Sequence, residues 1–246
     1  MNDTHKNHRA IVFGATGYTG AFLVKRLREL GIETHAHLRP SSSKKERLSR
    51  VFEDVGAKVV LEPWEDARIA AVIAEVRPTL VFAVLGTTRA RMKAIKRRGD
   101  DMATAGYEAI DYGLTAMIHR ACEQVDEPMR FVYLSSMGVK EGTRMPYLSV
   151  RWRMEEELRQ GQTDWTIVQP GFITGTDREE FRLGERVAAR LSDGFLALTG
   201  AVGARRLRQK YRSITGQQLA EGMVRWALVD EGRNRVISTT DLGEAV

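Results

Sequence analysis

The sequence predicts an α/β protein built on a parallel, doubly wound sheet. Three observations carry that prediction. Short apolar runs alternate with amphipathic helical patterns from residue 10 to residue 169. One of the runs, Thr79–Leu85 (TLVFAVL), is apolar almost throughout, as a strand covered on both faces must be. A glycine-rich turn, Gly14-Ala-Thr-Gly17-Tyr-Thr-Gly20, stands between the first strand and the first helix. With 246 residues, 43% hydrophobic and 28% charged, the chain is long enough for one large core, and its composition is not that of a disordered protein.

The elements follow in order. Ala10–Phe13 is a short β run, and Tyr18–Leu30 reads as a helix closed by Gly31. Glu33–Leu38 forms the second strand, with His35 and His37 on one face. Lys44–Val55 is helical, Lys58–Leu61 is the third strand, and Asp66–Val76 is a helix stopped before Pro78. Thr79–Leu85 is the fourth strand. One long helix is expected through Asp101–Gln124. Arg130–Ser135 is strand five, Tyr147–Gln160 a helix and Trp165–Gln169 strand six. After Pro170 the regularity breaks. Residues 171–215 hold scattered glycines and a helical stretch near Leu183–Leu198, and are expected to form a small C-terminal lobe on the substrate side. Gln217–Leu228 is an amphipathic helix and Arg235–Ser238 a late strand. There are no repeats and no low-complexity linker, so residues 1–246 read as one domain.

Lys and Arg outnumber Asp and Glu by 38 to 32, a net charge of +6, which suits anionic ligands. Two stretches concentrate it: Arg89–Arg98 (RARMKAIKRR), and Arg205, Arg206, Arg208 and Lys210. The first has neither interleaved aromatics nor a reading helix, so nucleic acid is not expected as a partner. No apolar run reaches the roughly 18–20 residues of a membrane span, and the polar N-terminus has no secretory h-region. Leu183–Leu207 mixes apolar residues with basic flanks and is read as lobe packing over the substrate cleft rather than as a membrane contact. The one cysteine, Cys122, sits in a helical apolar pattern as a structural thiol and fits a cytoplasmic location. The five histidines have no metal-ligand spacing, so no metal is expected.

The glycine motif has a physical reason at each step. Gly14 lets the chain turn sharply, Gly17 lets backbone N–H groups approach a pyrophosphate, and Gly20 lets helix and strand pack closely. The end of strand two then separates the two nicotinamide dinucleotides. An acid there would bind the ribose 2′-hydroxyl of NAD, whereas an Arg accommodates the 2′-phosphate of NADP. The chain has His37-Leu-Arg39-Pro-Ser41-Ser-Ser43-Lys44, with no acid. Arg39 offers a bidentate fork, Ser41, Ser42 or Ser43 a hydroxyl, and Lys44 further charge, so NADP(H) is the expected cofactor.

This motif resembles the fingerprint of the atypical short-chain dehydrogenase/reductases, and further matches lie downstream in the expected order. They are Leu85-Gly86-Thr87-Thr88-Arg89, Tyr133-Leu-Ser135-Ser136-Met-Gly138, Tyr147-Leu-Ser-Val-Arg151, Gln169-Pro170-Gly171-Phe172 and Tyr211-Arg-Ser-Ile-Thr215. Together the matches resemble NmrA-like proteins, and most closely the Tat-interacting-protein-like oxidoreductases, over about residues 9–230. The resemblance implies a Rossmann-like domain with NADP(H) across the strand ends. Thr16, Tyr18 and Thr19 of the fingerprint would join its glycines at the cofactor, with Leu85, Gly86, Thr87 and Thr88 along its middle and Pro170, Gly171 and Phe172 beside the nicotinamide. Members often carry an Asp after strand three, near the adenine. Here Pro63 of Glu62-Pro63-Trp64-Glu65-Asp66 stands opposite it, so that contact is not carried over.

The family's chemistry, as the resemblance implies it, uses Ser, Tyr and Lys. Tyrosine exchanges the proton, a cation one helical turn away favours its phenolate, and serine polarises the substrate oxygen. Ser136 (or its neighbour Ser135), Tyr147 and Arg151 stand at these positions. Arg in place of Lys keeps the charge but is bulkier and planar, and in the family Lys also holds the nicotinamide ribose. A structural role for Arg151 would be an ion pair with Glu155 at i+4. Asp111, where relatives often have Asp or Asn, reads as a structural residue. Two functions follow as expectations: an NADP(H)-dependent oxidoreductase acting on a small carbonyl or alcohol, or a non-catalytic NADP(H)-binding redox sensor acting through a protein partner. The substrate pocket is expected among residues 172–212, and the oligomeric state is left open.

Overall fold

The computed structural model describes residues 7–87, 92, 96, 97, 99, 101, 106–174 and 213–243. Seven strands form one parallel sheet: β1 (Arg9–Phe13), β2 (Glu33–Leu38), β3 (Lys58–Leu61), β4 (Leu80–Ala83), β5 (Arg130–Leu134), β6 (Asp164–Gln169) and β9 (Arg235–Ser238), in the order β3-β2-β1-β4-β5-β6-β9. All neighbours are parallel. The order reverses direction at β1, so the crevice beyond the carboxyl ends of β1 and β4 is where ligands bind in such sheets. This is the Rossmann-like doubly wound fold expected from the alternating pattern.

Strand alternation builds a core on each face. β1 sends Ala10 and Val12 to one side, where they meet Leu23 and Leu27 of α1 (Tyr18–Glu29). It sends Ile11 and Phe13 to the other, against Ile69 and Ile73 of α3 (Asp66–Val76). The helix α2 (Lys45–Asp54) contributes Leu48 and Phe52 to the first core. On the second, α4 (Leu114–Glu123) and α5 (Pro146–Gln160) contribute Ile118, Cys122, Met154 and Leu158. The last long helix, α6 (Gly216–Leu228), starts from a capping box, with the Thr215 side chain accepting from the Gln218 N–H. Its C-terminal carbonyls are bonded by buried Arg130 of β5, which donates to Trp226 O and Ala227 O at 3.1 and 3.0 Å. A short helix, α7 (Thr239–Gly243), follows β9.

Of the helix expected over Asp101–Gln124, the described residues from 107 to 123 are helical. Among the described residues the segment enters through a π-helical turn, Glu108–Gly113, before α4. The turn carries Asp111 to a fully buried position, where its carboxylate finds donors from outside the helix. Beyond β6, β7 (Ile173–Thr174) pairs in parallel with β8 (Ile214–Thr215), an element not expected from sequence. These two strands bring together the ends of the segment expected to form the lobe; its residues 175–212, with Leu183–Leu198, Leu183–Leu207 and the second basic cluster, lie outside the described residues. So do Thr88 and most of Arg89–Arg98.

Candidate functional site

The glycine turn leaves β1 with Gly14 at φ +90°, a conformation that only glycine adopts without strain. A Cβ there would also stand 2.8 Å from the Val84 carbonyl oxygen. A Cβ at Gly20 would collide with the Gly14 carbonyl, which is the close approach its position in the motif implied. Gly17 is exposed and forms the N-cap of α1; no side chain caps that terminus and no acid stands in its first turn. Such an end suits an anion. Tyr18 turns away from this point: its hydroxyl donates to Thr174 O at 3.3 Å and its ring packs on Gly216. Thr19 and Gly20 are buried in the helix–strand packing.

Above the strand ends lies a cleft of about 350 Å³. Gly14, Thr16 and Gly17 line one part of it, and Leu85 and Gly86 the loop after β4. Arg39, Ser42, Ser43 and Lys44 line the part beyond β2; Ser41 is exposed outside that lining, so the hydroxyls at the cleft are those of its two successors. His37, Trp64, Ile110 and Leu114 complete the wall with apolar and aromatic surface. Among the described residues, no acidic side chain lines this cleft.

His37 and Trp64 are the lining residues that sequence alone missed. The only signal for them was aromatic: a ring at the end of β2 and another three residues past β3. His37 is buried between Phe13 and Trp64, with ring centroids 5.1 and 4.5 Å away, and its Nε2 is 2.9 Å from the Glu62 carbonyl oxygen. Burial lowers its pKa from 6.5 to about 4. The folded state therefore resists a proton that the unfolded chain accepts. The corresponding stability is complete above pH 6.5 and is lost as pH falls towards 4, by roughly 3 kcal/mol. Urea denaturation of the protein and of His37→Phe between these pH values checks this: the variant's profile is expected to be flatter, and equal slopes would refute the assignment.

Of the residues expected to be catalytic, Arg151 reaches Gly86 at one end of the cleft, and Tyr147 packs beside Arg151. Arg151, on α5, is 4% exposed and reaches under the loop after β4. Its Nη1 donates to Leu134 O at 2.5 Å and to the Tyr133 hydroxyl at 3.3 Å; its Nη2 donates to Asp111 Oδ1 at 2.8 Å and to Leu85 O at 3.4 Å. A Cβ on Gly86 would stand 2.9 Å from that same Nη2, so a side chain there would have to displace the guanidinium. The Asp111 carboxylate also accepts from the Thr87 N–H at 3.0 Å. The pairing of Arg151 with Glu155 anticipated from i+4 spacing is corrected: Glu155 is buried and instead accepts from Ser135, Gln169 and Arg159, at 2.5, 2.9 and 2.9 Å. The inward π-turn had already brought a carboxylate to the guanidinium. Burial alone would lower the Arg151 pKa, but Tyr133, Tyr147 and Asp111 around it raise it, so it stays a cation. Burial pushes the Asp111 carboxyl up, against the pull of Arg151 and Thr87.

Tyr147 lies one turn before Arg151, with its ring centroid 4.8 Å from the guanidinium carbon and 5.3 Å from the Tyr107 ring. With the Ser135 hydroxyl engaged by Glu155, Ser136 is the less committed serine, partly buried with its Oγ 3.4 Å from Met137 O. Across from it, Pro170 O accepts from the Met137 N–H and the Gly171 N–H donates to Thr239, while Phe172 is 59% exposed. The buried Cys122 has its thiol pKa pushed up by desolvation, which suits an inert thiol.

The family described as NAD(P)H-binding matches residues 14–194. A curated relative, Protein fmp52-1, mitochondrial, of Aspergillus terreus, is 34% identical over 122 residues, which make up 48% of this chain and 46% of that one. The chain thus spans less than half of that relative's length. Among solved structures, the Bordetella bronchiseptica enzyme WbmH in complex with NAD+ superposes with a TM-score of 0.64 at 16% identity, over 94% of this chain and 74% of that one. The leucoanthocyanidin reductase–NADPH complex of Vitis vinifera superposes with a TM-score of 0.62 at 14% identity, over 93% and 67%. At such identities these two structures establish the fold alone.

Proposed function

The chain belongs to the NAD(P)H-binding family, and from that premise we propose that it is an NADP(H)-dependent oxidoreductase of the atypical short-chain dehydrogenase/reductase type, NmrA-like in its motifs, acting on a small carbonyl or alcohol. The observation that carries the choice of cofactor is the wall beyond β2: Arg39, Ser42, Ser43 and Lys44 line it, and among the described residues no acid does. A 2′-phosphate finds a guanidinium fork, hydroxyls and an ammonium there, whereas a free ribose diol finds no carboxylate acceptor. When bound, the cofactor supplies or accepts a hydride. The chain's own residues do the rest. Gly14, Thr16, Gly17 and the start of α1 would hold the pyrophosphate, and Leu85, Gly86, Thr87 and Thr88 its flank. Pro170, Gly171 and Phe172 would close the nicotinamide side. Tyr147 would exchange a proton with the substrate oxygen, Ser136 would hydrogen-bond that oxygen, and the Arg151 cation stands beside the Tyr147 ring. The lone cysteine fits a reducing compartment, a requirement that cytoplasm and mitochondrial matrix both meet.

A second reading has its own observation. Both Arg151 Nη atoms are hydrogen-bonded to protein groups. A guanidinium so committed supports the tyrosine but does not supply the ribose grip that Lys provides in the family, which favours a cofactor-binding sensor that acts through a protein partner. Thermal unfolding with NADPH, NADH or neither tests what both readings share. At 100 times its Kd, NADPH is expected to stabilise the fold by about 2.7 kcal/mol, a shift of roughly 5–10 °C, with a much smaller shift from NADH at the same concentration. Equal shifts would remove the 2′-phosphate assignment, and no shift with either would remove the dinucleotide site.

A further inference from the structure

The base end of the cleft is unlike its phosphate end. Its wall there is Trp64, partly exposed, backed by His37 at a ring-centroid distance of 4.5 Å and a tilt of 54°. The His37 Nε2 is already bonded to the Glu62 carbonyl oxygen, so His37 presents ring surface rather than that polar edge. None of the acids of the Glu62–Asp66 loop lines the cleft, and Asp66 accepts from Arg120 on the outer surface instead. The loop therefore gives a purine an aromatic face and no carboxylate acceptor for an exocyclic amine.

We propose that Trp64 is the specificity-determining residue for the base end of the dinucleotide, holding the purine by stacking and reading its ring but not its 6-substituent. The proposal rests on the cofactor reading above and goes beyond it. A site that hydrogen-bonds a particular group rejects analogues lacking it by large factors, because its own polar groups are left unpaired. A stacking wall has nothing to leave unpaired and tolerates any base with a π-face. Here adenine and hypoxanthine, which exchange an amine for a carbonyl at the 6-position, meet the same indole.

The test is calorimetric titration of the full chain with NADPH and with its hypoxanthine counterpart. Their Kd values are expected to agree within about threefold, since stacking alone separates them little. Trp64→Leu should weaken both by the same factor, at least about fivefold, and Trp64→Phe should restore most of the loss. Melting of each variant without ligand confirms that it is folded. If NADPH binds and its hypoxanthine counterpart binds more than tenfold more weakly, the base is read by a polar group and the proposal fails alone. Equal affinity of Trp64→Leu and the unaltered protein for NADPH overturns it as well. If neither dinucleotide binds the unaltered chain, the cofactor reading fails, and this proposal with it.

Discussion

Replacing Tyr147 by phenylalanine is expected to lower substrate-dependent NADPH oxidation by roughly 10²–10⁴-fold, the usual contribution of a positioned acid or base, while leaving NADPH affinity unchanged. The substitution is close to surgical. The ring keeps its place over the Arg151 guanidinium, 4.8 Å from the ring centroid, and its edge contact with Tyr107; only the hydroxyl is lost. The cleft beyond β2 proposed to hold the phosphate is lined by other residues, so binding has no reason to change. Turnover at the unaltered rate would remove Tyr147 from the chemistry. If no carbonyl consumes NADPH in the unaltered protein, yet NADPH changes its association with a protein partner, the sensor reading takes over. Arg151→Lys then becomes informative: a lysine that restored turnover would identify the committed guanidinium as the reason for its absence.

Asp111→Ala is expected to cost about 3–5 kcal/mol of stability, the range seen when one member of a buried ion pair is removed. For a chain of this size that is a fall in melting temperature of roughly 10 °C. The substitution strands the Arg151 cation, which is 4% exposed, and takes the acceptor from the Thr87 N–H at the same time. Asp111→Asn keeps an acceptor and should lose less. Combining Asp111→Leu with Arg151→Met, which removes both charges, should recover much of the loss, because the penalty comes from leaving one charge alone. Chemical denaturation of the three variants and the unaltered protein checks this, and a loss below about 1 kcal/mol for Asp111→Ala would show that the guanidinium finds other compensation. The pair also ties the loop after β4 to the helix that carries Tyr147, since one carboxylate holds Thr87 and Arg151 together.

The glycine fingerprint was legible because its demands are local. Gly14 needs a positive φ, and Gly20 needs to lie against the Gly14 carbonyl, within seven residues of one turn. The place of Arg39 at the cleft was legible for a similar reason: the end of β2 reaches the cleft in any sheet of this order. Ser41 against Ser42 and Ser43 was not, because a difference of one residue in a tight turn decides which hydroxyl faces the cleft.

Most partners of Arg151 and Glu155 could not be read. Spacing along α5 puts the two side by side, yet Arg151 pairs with Asp111, forty residues away, and Glu155 with Ser135 just after β5 and Gln169 of β6; only its bond from Arg159 is local to α5. The sequence by itself determined the parallel sheet, through hydrophobic alternation, and the glycine turn after β1, where Gly14 takes a positive φ and Gly20 lies against the Gly14 carbonyl. Only the tertiary structure decided that Asp111 turns inward through a π-turn, that the arginine is buried and bonded at both ends, and that Trp64 and His37 face the cleft. Buried charges must be paired and buried rings must pack, and the groups that satisfy them are set by how elements far apart in the chain come together.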